Sequence, residues 1–540
     1  MIYLGFEYHE VYGSCLNGFC LLMHLYIVYG LTLLFFFILD DKVKKISIIP
    51  VAVICLWESF IGIKQLLGYQ SSNHILYAVT GSFQNPGPYG GYIAVCISLI
   101  VAYCAREWKS YKRTKISMLM FWLAFVAAAA GVIILPSAHS RSSVVSLGFS
   151  MMLLAWGTES IRERVKPMLK KYGILILLGV TMLGAGAYYL KKPSADGRIF
   201  MDRISFKAMC SNGLKGVGAG HFGGAYGRTQ AQYFKSKIEE NGTYDLDWKA
   251  INEHERLTAD CPDNSFNEYL TFGVEEGPFL MIIMVSLIIA AIMISYRRGT
   301  MWCYGLVTLS VFACFSYPLH IRQFQIMLMI LMAACVSDGQ NDDHKRKWIE
   351  WVVTGVALVT VFLVLVPEIP MIRQYREVNK AWKKVQYWHI HEYYEYAVED
   401  CEKLFPYLQN DYSFLFAYGQ SLNKIGLYEK SDTVLMMGSE MSSDPMFWNV
   451  MGNNSAALGR YHEAEERYKQ SFYMVPNRIY PLCLLAKLYL MEGDTVGFYG
   501  MAEKIETFKA KVESGNAAVL RSEISDLKNG LMEKLDVTDD

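Results

Sequence analysis

The chain has 540 residues, 53% of them hydrophobic, and a formal net charge of zero. Residues 15–367 are mostly apolar, whereas 368–540 have the mixed composition of a soluble segment. The zero net charge gives no support for nucleic-acid binding, and the apolar runs are too long and too rarely polar for a soluble helical core. We therefore expect an all-α, polytopic membrane domain in 1–367, followed by a separate domain in 368–540.

About ten segments are long enough to cross a bilayer, because a hydrocarbon core of ~30 Å needs about 20 helical residues. The predicted spans are 16–39, 46–67, 88–105, 116–135, 143–160, 172–190, 277–296, 301–317, 320–336 and 348–367. Residues 1–14 lack a charged n-region with a cleavage site, so we expect no removed signal peptide. Either the first helix inserts unaided or an upstream helix is missing from the start of this chain.

Five short loops between these spans are rich in Lys and Arg, and the loops that alternate with them are nearly free of both. The basic loops are 40–45, 106–115, 161–171, 295–300 and 337–348. This alternation is the positive-inside pattern of a polytopic membrane protein. It predicts that the start of the chain (1–14), the long loop 191–276 and the whole of 368–540 lie outside the cytoplasm.

The outer loop 191–276 is too long for a structureless connection and is expected to be functional. Residues 191–193 predict the end of the preceding helix, 199–212 a short amphipathic helix, and 263–265 a helix start. The glycine-rich stretch 213–224 lacks the strand–helix context of a dinucleotide site, so it forms either a backbone anion site or a tight turn.

Cys210 and Cys261 share this loop and could pair in an oxidising compartment. No spacing of cysteines or histidines predicts a metal site, and no cofactor is expected.

The tail contains helical repeats. Trp448, Gly452, Tyr461, Ala464, Tyr468, Ser471 and Pro476 match the spacing of one tetratricopeptide unit. Helix-packing residues recur at Ala397, Ser431, Ala464 and Phe498, at intervals of 34, 33 and 34. Since a period near 34 is typical of such helix pairs, we predict an α-solenoid whose concave surface binds an envelope protein or a glycan.

Several outer-side motifs occur in a consistent order. They are the stretch 80–92 with Asn85, the segment 137–143 with Arg141, Gly197-Arg198, the glycine stretch, and Asn267-Glu268-Tyr269-Leu270. In order and membrane context, residues 75–370 resemble the O-antigen ligase and polymerase superfamily, including members with a tetratricopeptide tail.

The resemblance implies transfer of a glycan from an undecaprenyl-diphosphate carrier to an acceptor hydroxyl at the periplasmic face of the bacterial inner membrane. On that reading, loop 191–276 and residues 368–540 lie in the periplasm. The acceptor would be lipid A-core for a ligase, another glycan repeat for a polymerase, or a protein Ser or Thr for a protein O-oligosaccharyltransferase. The resemblance also implies an all-helical membrane core capped by the large outer loop.

Arg141, Arg198 and Arg322 are exceptions to the charge bias, because they lie on the outer side near span ends. A guanidinium offers rigid paired donors to phosphate, so we predict that these three bind the diphosphate. The alternative is that they snorkel to lipid headgroups. Arg203 and Arg228 are weaker candidates, expected to be solvated or paired with carboxylates of the loop.

The acceptor hydroxyl needs a base within hydrogen-bond reach. Ligases often carry a His immediately before the Asn of the Asn-x-Tyr-Leu element, whereas this chain has Phe266. We therefore consider Glu268, Asp263 and His221 as candidate catalytic residues, although an Asp at a helix start is usually a cap.

Two asparagines, Asn85 and Asn267, are candidate sugar or phosphate contacts, and Asn85 also fits a helix-entry turn. Glu58 lies inside a predicted span, where a carboxylate is either functional or structural. Two competing classes are a flippase or transporter, which would need polar residues along the spans, and a non-catalytic scaffold, which gives the outer arginines no role.

Overall fold

The computed structural model describes 27–33, 35–36, 44–108, 111–159, 192–240, 248–337, 376–512 and 514–538, with parts of 162–174 and residues 186, 189, 246, 355 and 374. These residues form helices and no strand, which confirms the all-α class. The predicted spans 16–39, 172–190 and 348–367 lie largely outside the described residues.

Among the described residues, four longer helices make up most of the first half of the apolar domain, the first preceded by a 3₁₀ turn at Lys45–Ser47. They are α1 (Ile48–Leu66), α2 (Pro86–Glu107), α3 (Lys115–Ile134) and α4 (Arg141–Gly157). Helix α2 packs against the other three and is enclosed on nearly every face, with Ile93, Val95 and Leu99 fully buried. It is the centre of the apolar core because its small and β-branched residues allow close approach.

The outer loop is largely helical. It contains α5 (Lys192–Ser211), α6 (Phe222–Glu240), α7 (Glu253–Thr258) and α8 (Glu268–Glu275). One predicted boundary was wrong, and another lies partly outside the described residues. The second is the helix end predicted at 191–193, since residue 191 is not described and residues 192 and 193 belong to α5. The helix expected to start at 263–265 begins later, capped by Asn267.

Three more apolar helices follow the loop: α9 (Pro278–Arg298), α10 (Trp302–Ala313) and α11 (Arg322–Ser337). Helices α10 and α11 are shorter than the spans predicted at 301–317 and 320–336. An interruption from 314 to 321 separates them and contains a 3₁₀ turn at Pro318–His320. Pro318 lacks the N–H that a continuous helix would require, which explains the break.

Among the described residues, four helices are long and apolar enough to cross a membrane. They are Lys45–Leu66, Pro86–Glu107, Lys115–Ala138 and Pro278–Arg298. The interrupted helices α10 and α11 are apolar but shorter.

The helices of the apolar domain alternate in direction, so their termini gather at two ends. At one end Lys45 forms an ion pair with Glu107 at 2.6 Å, and Arg298 donates to the carbonyl of Val336. We call this the basic end. The opposite end, which we call the loop end, contains the starts of α2, α4 and α11 and contacts the outer loop.

The tail begins with helical residues 376–390 and continues in helices joined by short turns. These are α12 (Tyr394–Leu408), α13 (Tyr412–Lys424), α14 (Tyr428–Ser439), α15 (Met446–Ala457), α16 (Tyr461–Met474), α17 (Tyr480–Glu492), α18 (Thr495–Thr507) and α19 (Gly515–Thr538). Successive helices pack in pairs. Ala397, Ser431, Ala464 and Phe498 are all fully buried, each at the fourth residue of its helix.

The outer loop and the tail share hydrophobic clusters. Trp248 of the loop packs edge-on against Phe508 of the tail with ring centroids 5.0 Å apart, and Ala231 clusters with Met474. Cys210 and Cys261 are separate free thiols, one exposed and one half-buried.

Candidate functional site

Three helices begin side by side at the loop end. A Cβ on Gly90, near the start of α2, would lie 2.9 Å from Ser143 Oγ at the start of α4, so glycine permits this approach. Phe324, in the first turn of α11, packs against Tyr92 of α2 with centroids 5.4 Å apart. The N-terminus of a helix carries partial positive charge and free N–H groups, so this region favours an anion.

Two of the predicted arginines lie at this junction. Arg141 is the first residue of α4 and is exposed, and Arg198 is on α5 and half-buried. Burial lowers the pKa of Arg198, and the positive charge of Arg141 lowers it further, whereas Asp202 acts in the opposite direction. Two guanidinium groups within electrostatic range repel one another, and a bound anion would relieve that repulsion.

Aromatic rings hold the Arg198 side chain in place. Its guanidinium lies 4.5 Å from the ring centroid of Phe266, and Nη1 donates to the carbonyl of Phe315 at 3.2 Å. The rings of Phe266 and Tyr317 meet edge-on at 5.6 Å. Phe266 therefore supports the guanidinium of Arg198.

Asp202 was not predicted from the sequence. It lies one helical turn after Arg198 and accepts a hydrogen bond from Ser265 Oγ at 3.3 Å. Burial raises the pKa of its carboxyl, and the hydrogen bond from Ser265 and the charge of Arg198 partly offset that rise. The i, i+4 spacing with Arg198 was the signal that could have identified it.

Glu268 forms a buried acid–histidine pair. Its Oε1 lies 3.0 Å from Nδ1 of His320, and its side chain is only 5% exposed. Glu268 Oε2 is also buried and has no hydrogen-bond partner among the described residues. A buried carboxylate oxygen without a partner is costly, which suggests that a ligand completes its bonding.

His320 was also missed from the sequence, because it lies in the turn between α10 and α11. Its side chain is 36% exposed and is therefore accessible to a ligand. Burial lowers its pKa, but the charge and hydrogen bond of Glu268 and the charge of Glu275 outweigh burial and raise it. The imidazole therefore binds a proton more tightly than an ordinary histidine does.

The glycine stretch wraps the C-terminal end of α8. The N–H groups of Val217 and Gly218 donate to the last carbonyls of the helix, at 3.0 and 2.8 Å. The N–H groups of Gly220 and Phe222 donate to Oε1 of Glu275 at 3.0 and 3.4 Å. The tight-turn alternative is therefore observed, and the acceptor of these N–H groups is the chain's own Glu275 carboxylate.

Glu275 lies in the same electrostatic environment as the acid–histidine pair. Burial raises its pKa, while the charge of His320 and the N–H groups of Gly220 and Phe222 lower it. His221 belongs to the same stretch, where its Nδ1 lies 3.0 Å from the carbonyl of Ala219.

Asn85 and Asn267 are both helix N-caps. Asn85 Oδ1 accepts the N–H of Gly87 at 3.0 Å, and Asn267 Oδ1 accepts the N–H of Leu270 at 3.3 Å. These bonds orient α2 and α8 at the loop end. The helix-entry alternative for Asn85 is thus observed.

Two other candidates lie at the edges of this region. Arg322 is the first residue of α11, directly after the turn that contains His320. Asp263 is hydrogen-bonded to Tyr412 of the tail, so its observed partner is structural.

The remaining polar candidates have local partners. Arg203 forms an ion pair with Glu255 at 2.8 Å. Glu58 accepts hydrogen bonds from the N–H and hydroxyl of Ser82, at 3.0 and 2.5 Å, and so fixes the turn before α2. Among the described residues, no group of His, Cys, Asp and Glu is arranged to hold a metal ion.

When the chain is compared with known protein families and with curated proteins, it matches none of them.

Proposed function

We propose that this protein is a bacterial envelope glycosyltransferase of the O-antigen ligase and polymerase type. It would transfer a glycan from undecaprenyl diphosphate to an acceptor hydroxyl. The observation that carries the proposal is that the charges of Arg141 and Arg198 lie within electrostatic range of one another, where three helices begin. This concentration of positive charge suits a lipid diphosphate, whose two phosphates carry several negative charges.

The proposal includes the finer topology predicted from the sequence. About ten helices would span the inner membrane, with the outer loop and the tail in the periplasm. The tail would be a tetratricopeptide-like solenoid, an assignment supported by buried residues that recur every 33 or 34 positions. The exposed apolar side chains Trp57 and Phe60 on α1 fit a lipid-facing surface.

The arginines would act on the leaving group. When the glycosidic bond to the carrier breaks, negative charge develops on the diphosphate, and cations already positioned there lower the barrier. The stacking of Arg198 on Phe266 limits its motion, so less conformational entropy is lost when the phosphate binds.

The acceptor would be activated by His320. Glu268 binds Nδ1, which fixes the orientation of the ring and leaves Nε2 to face an acceptor hydroxyl. A carboxylate–imidazole pair of this kind removes a proton from a hydroxyl and stabilises the imidazolium that forms. His320 would then replace the histidine that the resembled ligases often carry where this chain has Phe266.

Profiling of envelope glycans after Arg198→Ala tests the proposal. Unpolymerised single repeats would identify a polymerase, polymer retained on the lipid carrier a ligase, and loss of glycosylated envelope proteins a protein O-oligosaccharyltransferase. Arg203→Ala is the matched control, because Arg203 lies on the same helix but pairs with Glu255. An unchanged profile for Arg198→Ala would exclude Arg198 from the site.

A further inference from the structure

The segment that leads into α8 is held by the tail. After α7 ends at Thr258, residues 259–263 have no helical structure, and α8 follows at Glu268. Each of these five residues receives a bond from a tail residue. The pairs are Asn477 to the carbonyl of Ala259 (2.8 Å), Lys511 to Asp260 Oδ2 (2.9 Å), Arg478 to Cys261 Sγ (3.0 Å), Ser443 to the carbonyl of Pro262 (2.8 Å), and Tyr412 to Asp263.

The donors occupy comparable places in the tail. Each lies at or beside a turn that joins one helix pair to the next. Tyr412, Ser443, Asn477 and Lys511 follow one another at 31, 34 and 34 residues. Donors with the period of the helix pairs form a row along one edge, which is how a repeat array binds an extended peptide. The peptide here is part of the same chain.

Buried polar groups reinforce the contact. Asn477 is 5% exposed, and its amide donates to the carbonyls of both Arg256 and Ala259. Arg256 is 3% exposed and donates to the carbonyls of Pro476 and Lys509, at 3.2 and 2.8 Å. Buried donors with their partners in place strongly favour one arrangement, because breaking it would leave polar groups unsatisfied.

Helix α6 of the outer loop packs closely against the tail. A Cβ on Gly224 would lie 2.0 Å from the carbonyl oxygen of Glu440, so the backbone of α6 contacts the backbone of the tail at this point. Gln230, 1% exposed, donates to the carbonyls of Asp260 and Met474 and so links the segment to both α6 and α16.

The segment continues directly into the candidate site. Ser265 binds Asp202, Phe266 stacks under Arg198, and Glu268 binds His320. Any shift of 259–263 along the tail would move these residues, because they follow without a flexible spacer.

We propose that the tail binds residues 259–263 in cis, as a repeat array binds an extended peptide, and so positions the helix that carries Glu268. The effect of this contact on catalysis rests on the proposed function, whereas the binding of residues 259–263 by the tail does not. Asn477 is the principal positioning residue, since it bonds the start of the segment from a buried position. The turns between helix pairs, which could otherwise bind a partner protein, are therefore occupied by residues 259–263 of the same chain.

Asn477→Asp in the full-length protein tests the proposal, because it keeps the shape and removes the two donated bonds. We expect amide hydrogen exchange in 259–275 to become at least tenfold faster, while exchange in α12–α15 stays unchanged. Glycan transfer should lose kcat with little change in the donor KM. Arg460→Ala is the control, because Arg460 pairs with Glu429 inside the tail.

Each result is decisive. Unchanged exchange in 259–275 would overturn the binding of the segment by the tail. Faster exchange with normal kcat would overturn the positioning role. If the wild-type protein transfers no glycan at all, the proposed function fails, and the cis contact is then judged on exchange alone. Should Asn477→Asp not fold, Lys511→Gln at the exposed end of the row gives the same exchange comparison.

Discussion

At the scale of single residues, the pair of Glu268 and His320 gives the site its proposed catalytic base. Glu268 was predicted from its motif, but His320 was not, because it lies in a turn that the sequence suggested was part of a span. Nothing local to His320 indicates that a carboxylate lies 3.0 Å away. Pairings between distant segments depend on packing, which one sequence does not reveal.

The raised pKa of His320 predicts the pH dependence of transfer. A base must be unprotonated, so the rate should rise with pH and level off above the ordinary histidine value of about 6.5. Glu268→Gln removes the charge that raises this pKa, so the rising limb should move to lower pH while the maximal rate falls. The pH–rate profiles of the two proteins check this.

The charged groups near His320 are Glu268 and Glu275 on α8, and both favour the imidazolium. Because the pKa of His320 is raised in the folded protein, protonation of His320 stabilises the folded state. This stabilisation is complete at pH values below the ordinary histidine pKa and is lost as the pH rises through the raised pKa. His254→Asn is a control, since His254 pairs with Asp196 elsewhere in the loop. Coincident profiles for wild type and Glu268→Gln would exclude His320 as the base.

The arginines were predicted from charge alone. Arg141 and Arg198 stood out because outer loops of membrane proteins seldom carry such residues, and in the structure the charge of Arg141 acts on Arg198. Asp202 and Tyr317, which complete the surroundings of Arg198, carry no sequence signal of comparable strength.

At the scale of elements, one backbone conformation recurs through the tail. The turns inside successive helix pairs each contain a residue with positive φ: Glu392 (63°), Gly426 (84°), Gly459 (71°) and Gly493 (84°). Their spacing of 34, 33 and 34 is the period predicted from the buried positions. The glycines at these turns were a second repeat signal in the sequence, and Glu392 obscured it in the first unit.

A pair of alanine substitutions tests this requirement. Neither Gly459 nor Gly500 has any atom near the position of an added Cβ, so only the backbone distinguishes them. Gly459→Ala should cost about 1–2 kcal/mol in the left-handed turn. Gly500→Ala, inside α18, should stabilise by roughly 0.5–1 kcal/mol.

Thermal unfolding of the tail measures the difference. For a domain of this size, 1 kcal/mol corresponds to roughly 2–4 °C, so the two Tm values should move in opposite directions. A lower Tm for both variants would show that the left-handed conformation of Gly459 does not account for the loss of stability.

The interruption between α10 and α11 is the element that the sequence predicted least well. Hydropathy indicated two full spans, 301–317 and 320–336, with only residues 318 and 319 between them. The structure unwinds this stretch and uses it to place Tyr317 and His320 beside α8.

At the scale of the whole molecule, the division into an apolar domain and a tail was predicted, but the union of loop and tail was not. Composition separates 1–367 from 368–540, whereas the structure joins 248–263 to the tail through shared clusters and hydrogen bonds. Composition cannot report contacts between regions so distant in the chain.

The proposed topology has a native reporter. Cys210 is exposed at the end of α5 in the outer loop. A membrane-impermeant maleimide added to intact spheroplasts should label Cys210, and Cys210→Ala should lose that label. Labelling of Cys210 only after the membrane is permeabilised would place the outer loop in the cytosol.

The binding of undecaprenyl diphosphate to the purified protein, followed by native mass spectrometry, tests the central claim most directly. Loss of a charged hydrogen bond costs about 1.5–3 kcal/mol, so Arg198→Ala should weaken binding by roughly 10–100-fold. Arg203→Ala, on the same helix, should bind like the wild type. Equal affinity of the wild type and Arg198→Ala would contradict the assignment of a diphosphate site at the loop end.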